Sequence, residues 1–376
     1  MNKSEQISQF LQRRIDAGDF PSAVYLVAEG GEVKLLDALG FAVVEPERIE
    51  ARVDTIYDLA SVTKVLVTGL LTAKMVEDGA VQLNDGVSSH LREFDTDEKR
   101  SITVAQLLSH SSRMPAWLPL YLRVDEPSQV ISEIGRIPLD LEQNSVTYSD
   151  LNFIALGTLI ERVMGKHLDE VVDELVIGPL GLVDTGFNPP PRSKRRIAAS
   201  EDGNGFEKQT CIEKGYLETN ASTADHDYFR TGVIWGEVHD NNAYFLGGVA
   251  GHAGLFSTAE EVFKIAQQFL PNYTSLLKPE TCELFRTNFT PGMNEHRSFA
   301  FQLASTTESA AGTKMSPESF GHLGFTGTSL WIDPVKERVF ILLTNRTHNR
   351  KLPFENINSV RRRFHDLAIE HLDLIS

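Results

Sequence analysis

The sequence predicts an α+β fold in which one antiparallel sheet is flanked by terminal helices and carries an inserted, mainly helical lobe. Two strand hairpins, at residues 22–40 and 328–343, lie far apart in the chain. Outside each hairpin is a segment with helical spacing of apolar residues, at 4–17 and 354–372. Because the chain between the hairpins is helical or loop-like, we expect the strands of both hairpins to share one sheet that the terminal helices cover.

This pattern predicts a single domain over residues 1–376. Its α/β lobe is expected to come from about 1–58 and 296–376, and its helical lobe from about 59–295. Pockets favour such boundaries between lobes, so we expect a functional site there.

The first hairpin follows an amphipathic segment. Its helical face is predicted from four apolar residues, Ile7, Phe10, Leu11 and Ile15. The two apolar runs of the hairpin are separated by Gly30 and Gly31, and a glycine pair permits the positive φ that tight hairpin turns need.

The second hairpin has a turn at residues 333–337 between two strongly apolar runs. A final helix is predicted beyond it. Its apolar face would consist of Ile357, Val360, Phe364, Leu367 and Ala368.

The middle of the chain has three segments with helical periodicity, at 61–78, 103–109 and 150–164. Thr103 is expected to cap the second of them. Residues 191–245 are rich in Gly, Asn, Asp and charge, and we predict an irregular excursion. Loops of that length are uncommon unless they are functional.

Composition narrows the classes of function. The chain has 376 residues and a formal net charge of −16, which disfavours a nucleic-acid partner. No apolar run approaches the ~20 residues that span a bilayer, and the first residues lack the apolar core of a secretion signal. We therefore expect a cytoplasmic protein with no membrane partner, of unknown oligomeric state. Cys211 and Cys282 leave open whether a disulfide forms.

The clearest chemical signal is the pair Ser61 and Lys64 at the start of an apolar helical stretch. A lysine three residues after a serine lies about one helical turn away on the same face. In a partly dry pocket the pKa of the lysine is expected to fall, so that its amine takes the serine proton. A second such pair, Ser275 and Lys278, directly precedes Pro279, where a helix should end, and we discard it.

Acyl transfer by a serine needs a second proton carrier, and the candidate is Tyr148, followed two positions later by Asp150. A phenol beside an ammonium is expected to have a lowered pKa, which would let it shuttle the proton. The alternative interpretation is a buried tyrosine at a helix start with Asp150 as the cap.

His322 and Gly324 are the candidate substrate wall, because they run into the strands of the second hairpin. Gly324 would let a substrate backbone lie close to the strand edge. The backbone N–H of Phe325 would form an oxyanion hole with that of Ser61. A rival histidine, His252, lies in a Gly-rich run that looks like a loop entering a helix, and a loop cannot supply a rigid strand edge.

Other polar positions carry weaker signals. We interpret His110 as structural rather than catalytic. Residues 232–240 are expected to border the pocket, where Trp235 either shapes the pocket or belongs to the core. Signatures for zinc, nucleotide phosphates, dinucleotides and the GxSxG elbow are missing from the sequence, so we expect no metal, no cofactor and no α/β-hydrolase.

Taken together, the motifs resemble the beta-lactamase-related serine hydrolase family, which includes class C beta-lactamases, penicillin-binding DD-peptidases, family VIII esterases and D-aminopeptidases. The three motifs stand in the family's order: Ser61-x-x-Lys64, Tyr148-x-Asp150, His322-x-Gly324. Further segments that resemble the family cover most of the chain, at 58–64, 102–112, 179–185, 251–258 and 321–327.

This resemblance implies a beta-lactamase/transpeptidase-like fold for a single catalytic domain. By position, it implies that Ser61 is the acylated nucleophile, Lys64 its proton partner and Tyr148 the acid/base. The residues implied around the substrate and the oxyanion are Asp150, His322, Gly324 and Phe325.

Three residues depart from the usual family pattern. The third motif usually has Lys facing a substrate carboxylate, whereas His322 is mostly neutral at pH 7. The middle motif usually ends in Asn, whereas Asp150 offers acceptors only and a negative charge. Arg113 stands where the family usually has Gly, which puts the geometry of that loop in question.

We therefore expect a metal-free serine hydrolase that forms a covalent acyl-enzyme on small-molecule esters or amides, of carboxylesterase type. The alternative of the same fold is a beta-lactamase or D-amino-acid peptidase. Two further alternatives are an acyltransferase and a catalytically silent ligand-binding homologue.

Overall fold

The computed structural model describes residues 3–140, 145–217 and 228–375. Its strands are β1 (Ser22–Glu29), β2 (Glu32–Val43), β3 (Ile49–Glu50), β4 (Tyr57–Asp58), β5 (Phe256–Ser257), β6 (Gln302–Leu303), β7 (Phe320–Leu323), β8 (Ser329–Asp333) and β9 (Arg338–Thr344). Its α-helices are α1 (Lys3–Asp16), α2 (Leu70–Glu77), α3 (Val104–Leu108), α4 (Val130–Arg136), α5 (Asp150–Met164), α6 (Leu168–Val172), α7 (Gly178–Leu180), α8 (Gly205–Glu213), α9 (Asn241–Phe245), α10 (Ala259–Ala266) and α11 (Asn358–Ile375).

Both hairpins enter one antiparallel sheet of seven strands in the order β3-β2-β1-β9-β8-β7-β6. The hairpins join where β1 pairs with β9, with Ala23 opposite Thr344. Gly30 and Gly31, in the turn between β1 and β2, have φ values of +61° and +78°, as the tight turn requires. The predicted sheet, shared by the two ends of the sequence, is confirmed.

The two faces of the sheet bury different cores. Tyr25 and Val27 of β1 pack in the cluster that contains residues of α1 and α11, which contact each other. Val24 and Leu26 point the opposite way, into the larger core under the helices of the middle region. This alternation is the two-residue period of a strand that is covered on both faces.

The helix predicted over 61–78 has three parts. A 3-10 turn at Ala60–Val62 is followed by a π-helix at Lys64–Gly69 and then by α2. In the wide π turns, the Thr68 hydroxyl donates to the carbonyl oxygen of Gly251 at 2.6 Å, which ties this segment to a distant loop. Such π segments are frequent at functional sites.

The other segments in the middle of the chain agree in part with the predictions from the sequence. Thr103 caps α3 through a capping box with Gln106, and α5 has the predicted bounds. The prediction that 191–245 is irregular is wrong at α8 and α9. Polar residues occupy most positions of α8, so its buried face gives little apolar periodicity; residues 218–227 of this segment lie outside the described residues.

Within the described ranges, no helix is both long and apolar enough to cross a membrane. Cys211 and Cys282 are buried free thiols, so they do not pair with each other.

Candidate active site

A cavity of about 700 Å³ brings together the residues that the sequence predicts for the site. Its walls come from the Ala60–Val62 turn, the start of α5, β7 and α11. The predicted residues that line it are Ser61, Tyr148, Asp150, His322, Gly324 and Phe325. Lys64 lies behind this lining, with its side chain fully buried.

The turn that carries Ser61 is held in an unusual backbone conformation. Ala60, directly before it, has a φ of +47°, which is uncommon for a residue with a side chain. The buried Asp58 carboxylate accepts the N–H of Ala60 at 2.8 Å and that of His239 at 2.7 Å. Strained conformations of this kind persist only where the surroundings enforce them.

Lys64 has three oxygen partners around its ammonium group. Nζ lies 3.0 Å from Ser61 Oγ, 3.0 Å from the carbonyl oxygen of His252 and 2.7 Å from Asp150 Oδ1. Ser61 and Lys64 are therefore neighbours, as their spacing predicts. The Ser275 pair has no such arrangement, because the Ser275 hydroxyl bonds Gln268 instead.

The expected fall in the pKa of Lys64 is wrong. Burial lowers the pKa of the ammonium, but the charge and hydrogen bond of Asp150 and the Tyr148 hydroxyl outweigh it, so the net pKa is raised. Lys64 is therefore a cation that donates to Ser61 in the resting site.

The expected fall in the pKa of Tyr148 is wrong as well. Burial raises the pKa of the phenol more than the Lys64 charge and the hydroxyl contacts with Ser61 and Lys64 lower it, and the Asp150 charge adds to the rise. The ring centroid lies 5.1 Å from Lys64 Nζ. The hydroxyl is buried and makes no well-aligned hydrogen bond within the described part of the chain.

His322 occupies the strand edge that the third motif predicts. It lies in β7, whose neighbour β6 pairs only with Phe320 and Gly321. The His322 Nδ1–H donates to the carbonyl oxygen of Leu323 at 2.9 Å. Burial, with the nearby cations Arg297 and Lys64, holds the pKa of the imidazole well below its usual value, so the ring is neutral.

Packing also requires a glycine at position 324. A Cβ at this position would lie 2.0 Å from Thr328 Oγ1 and 2.5 Å from the carbonyl oxygen of Leu59. The close packing of this strand end against the Ser61 turn therefore excludes a side chain here, and the predicted contact with a substrate backbone stays a prediction. The next residue, Phe325, has an N–H without a backbone partner among the residues described.

The rival histidine also reaches the site, through its backbone. His252 lies in a loop, and its carbonyl oxygen accepts from Lys64. Its imidazole Nε2 lies 2.9 Å from Asp240 Oδ1, which fixes the loop to the cavity wall. Sequence reasoning missed this contact because a backbone acceptor leaves no signature in the sequence.

Two guanidinium groups next to the third motif were also missed. Arg346 Nε donates to the carbonyl oxygen of Phe325 at 2.7 Å, and Arg361 Nη2 donates to that of Gly324 at 2.9 Å. Burial lowers the pKa of Arg346 to about 10 and that of Arg361 to about 9. Neither has a carboxylate partner within the described ranges. Arg361 could have been found, since it lies four positions after Ile357 on the apolar face predicted for the last helix.

The expected border at 232–240 is correct for His239 and Asp240, which line the cavity. Trp235 packs against the core instead, where its Nε1–H donates to the carbonyl oxygen of Ile197. The indole at the cavity is Trp117. His, Cys, Asp and Glu side chains form no group of three or more that could hold a metal ion in the described part of the chain.

Comparisons with known proteins place this geometry in context. The Beta-lactamase family model matches residues 7–361. The chain is 30% identical over 379 residues to a protein of Escherichia coli (strain K12) named "Putative D-alanyl-D-alanine carboxypeptidase", covering 93% of this chain and 83% of that protein.

Solved structures share the fold at low identity. EstCE1, described as a hydrolase with promiscuous acyltransferase activity, has a TM-score of 0.73 at 20% identity and covers 97% of this chain and 98% of its own. A class C beta lactamase from Rhodobacter sphaeroides has a TM-score of 0.68 at 17% identity and covers 97% and 99%.

Proposed function

Because the chain belongs to the beta-lactamase family of serine hydrolases, we propose that it acts on small esters or amides, as a carboxylesterase-type enzyme, through an acyl-enzyme on Ser61. The observation that carries this proposal is the position of Lys64 Nζ, 3.0 Å from Ser61 Oγ at the wall of the cavity. A buried lysine beside a serine has little use in a protein that only binds ligands.

The resting charges require a proton transfer before attack. Lys64 is a cation, so it passes one proton to the Asp150 carboxylate, 2.7 Å away. The free amine then takes the Ser61 proton as Oγ bonds to the substrate carbonyl carbon. The N–H groups of Ser61 and Phe325 stabilise the oxyanion.

Tyr148 completes the acylation. As the tetrahedral intermediate collapses, the bond to the leaving group breaks, and the phenol donates its proton to the departing oxygen or nitrogen. Lys64 then returns a proton to the phenolate, and Asp150 returns its proton to Lys64. Water repeats the sequence against the acyl-enzyme and releases the acid, so the enzyme ends as it began.

A second candidate function follows from Arg346 and Arg361. Their guanidinium groups line the cavity without carboxylate partners among the described residues, and guanidinium groups bind carboxylates well. They offer a cationic anchor for a substrate carboxylate, which the neutral His322 cannot provide. This favours a D-amino-acid peptidase, the kind of activity in the name of the Escherichia coli relative.

One panel of assays tests the proposal. The protein and its Ser61→Ala variant are treated with a fluorophosphonate probe, a p-nitrophenyl ester and a chromogenic cephalosporin. We expect labelling and ester turnover that Ser61→Ala abolishes. Neither labelling nor turnover in the unmodified protein would overturn the hydrolase proposal, and rapid cephalosporin turnover would favour a beta-lactamase. Faster release of p-nitrophenol with an added alcohol, together with a new ester product, would identify an acyltransferase.

A matched pair of substrates separates the two candidate functions. A D-alanyl-D-alanine peptide is compared with the same peptide as its C-terminal amide. If Arg346 binds the carboxylate, Arg346→Gln should raise KM for the free acid at least about tenfold and leave the amide unchanged. Equal KM values for acid and amide would favour the esterase.

A further inference from the structure

His110 is a buried residue that the proposed acyl transfer does not use. It follows α3 and has a φ of +56°, in the left-handed region that side chains rarely adopt. It is completely buried. A strained backbone at a residue that does not touch Ser61 calls for a reason in its surroundings.

The reason is that His110 forms hydrogen bonds with the segment around Tyr148. The backbone carbonyl oxygen of His110 accepts the N–H of Thr147 at 3.0 Å. Its imidazole Nδ1 accepts the N–H of Ser149 at 2.9 Å. The residues on both sides of Tyr148 are therefore bonded to His110, one through the backbone and the other through the ring.

The same ring packs against the phenol. The ring centroids of His110 and Tyr148 lie 4.6 Å apart, and the ring of His322 lies 5.7 Å from Tyr148. Because Nδ1 accepts an N–H, the neutral ring of His110 carries its proton on Nε2. Burial and the cations Arg297 and Lys64 hold the pKa of this imidazole well below its usual value, which keeps it neutral.

The hydroxyl of Tyr148 contacts Ser61 and Lys64, but neither contact is a well-aligned hydrogen bond within the described residues. The direction of the phenol therefore also depends on its backbone and on the rings around it. His110 supplies both of these restraints.

We propose that His110 is a positioning residue that aims the Tyr148 hydroxyl at the leaving group. This inference rests on the proposed function, because it takes Tyr148 as the proton donor. A poor leaving group, such as an alkyl alcohol, needs that proton. A good one, such as p-nitrophenolate or fluoride, departs without it.

The test is His110→Asn. Asparagine tolerates the left-handed conformation, and its Oδ1 replaces Nδ1 as the acceptor for Ser149, so that only the ring over Tyr148 is lost. His365→Asn is the matched control, because His365 is also completely buried but lies behind the sheet, near Phe364 and Trp331. Circular dichroism and thermal unfolding establish that both variants fold.

For His110→Asn we expect kcat/KM for an alkyl ester to fall at least about tenfold, on the scale of positioned acid–base groups. Fluorophosphonate labelling of Ser61 and kcat/KM for a p-nitrophenyl ester, both of which report acylation, should fall less than about threefold. In His365→Asn the ratio of the two ester activities should stay unchanged. In a Tyr148→Phe background, His110→Asn should cost less than a further twofold or so, because the two residues act as a unit.

Equal losses for both esters in His110→Asn, or a full further loss in the Tyr148→Phe background, would overturn the positioning role and leave His110 as a structural residue. These results differ from failure of the proposed function. In that case the unmodified protein would neither label at Ser61 nor turn over esters.

Discussion

The Asp150 carboxylate lies 2.7 Å from Lys64 Nζ, closer than the Ser61 hydroxyl at 3.0 Å. The nearer partner of the lysine is thus the carboxylate, and the nucleophile is the more distant one. This order explains why the pKa of Lys64 is raised although its side chain is buried. In the proposed mechanism it also makes Asp150 the first acceptor of the lysine proton.

We predict that Asp150→Asn makes ester hydrolysis depend on the free amine of Lys64. In the proposed mechanism the lysine proton passes to Asp150, 2.7 Å away, so the unmodified protein needs to lose no proton to solvent. An amide cannot take that proton, so the variant works only after Lys64 has lost it, and the pKa of Lys64 is lower there because Asp150 no longer raises it. We expect kcat/KM of the variant to be at least ~10-fold lower at neutral pH and to rise towards pH 10, measured as ester hydrolysis from pH 5 to 10. An unchanged rate at neutral pH would show that Asp150 does not accept the lysine proton.

Replacing either proton carrier should slow ester hydrolysis strongly. For Lys64→Ala and Tyr148→Phe we expect losses in kcat/KM for an alkyl ester of at least ~100-fold, the scale of positioned acid–base groups. Thr72→Ser provides a control on the same helical segment, because it keeps the hydroxyl that donates to the carbonyl oxygen of Thr68. A near-normal rate in Lys64→Ala or in Tyr148→Phe would remove that residue from the mechanism.

The sequence predicted the parts of this molecule that depend on local pattern. Apolar runs next to turn residues placed β1 and β9, and the capping residue Thr103 placed α3, because these signals lie within a few neighbouring residues. The partners Ser61 and Lys64 were found for the same reason.

What the sequence could not predict depends on segments that are distant in the chain. The pKa direction of Lys64 was wrong because Asp150 reaches the lysine only when α5 packs beside the Ser61 turn, and that of Tyr148 was wrong because burial of the phenol outweighs the charge of Lys64. The π-helix has no apolar period of its own, and the His252 carbonyl leaves no trace in the residue type. Arg361 could have been identified from the sequence, because it is a charged residue on the apolar face predicted for the last helix.

We predict that Arg113→Gly stabilises the protein. Arg113 has a φ of +65°, where a side chain costs roughly 1–2 kcal/mol. Glycine removes that cost but orders a more flexible chain, at roughly 0.5–1 kcal/mol. The net gain should be about 0.5–1 kcal/mol, seen as a rise in Tm of about 1 °C in a chain of this length. Arg136→Gly, at the exposed end of α4, is the control and should lower Tm. A fall in Tm for Arg113→Gly would contradict the assignment of strain.

We predict that Glu207→Gln flattens the dependence of stability on pH. Burial, with the neighbouring Asp240 charge, raises the pKa of Glu207 to about 8, above the ordinary value of 4.5. A raised pKa means that the stabilising contribution is complete below about pH 4.5 and is lost as the pH rises through about 8. The unmodified protein should therefore lose more Tm than Glu207→Gln between pH 6 and 9, by a few degrees. Glu213→Gln, exposed on the same helix, should behave like the unmodified protein. Parallel curves for the Glu207 variant and the unmodified protein would contradict the raised pKa.

The pairing of β1 with β9 has a consequence for biosynthesis. The contacts across this seam are among the most distant in the sequence; Ser22 donates to Asn345 Oδ1 across a separation of 323 residues. During translation the edge of β1 that later pairs with β9 therefore stays unpaired until β9 has left the ribosome. An apolar strand with an unpaired edge is a template for association with other chains. The interval of synthesis, rather than the finished fold, is thus the stage at which β1 is most open to association with other chains.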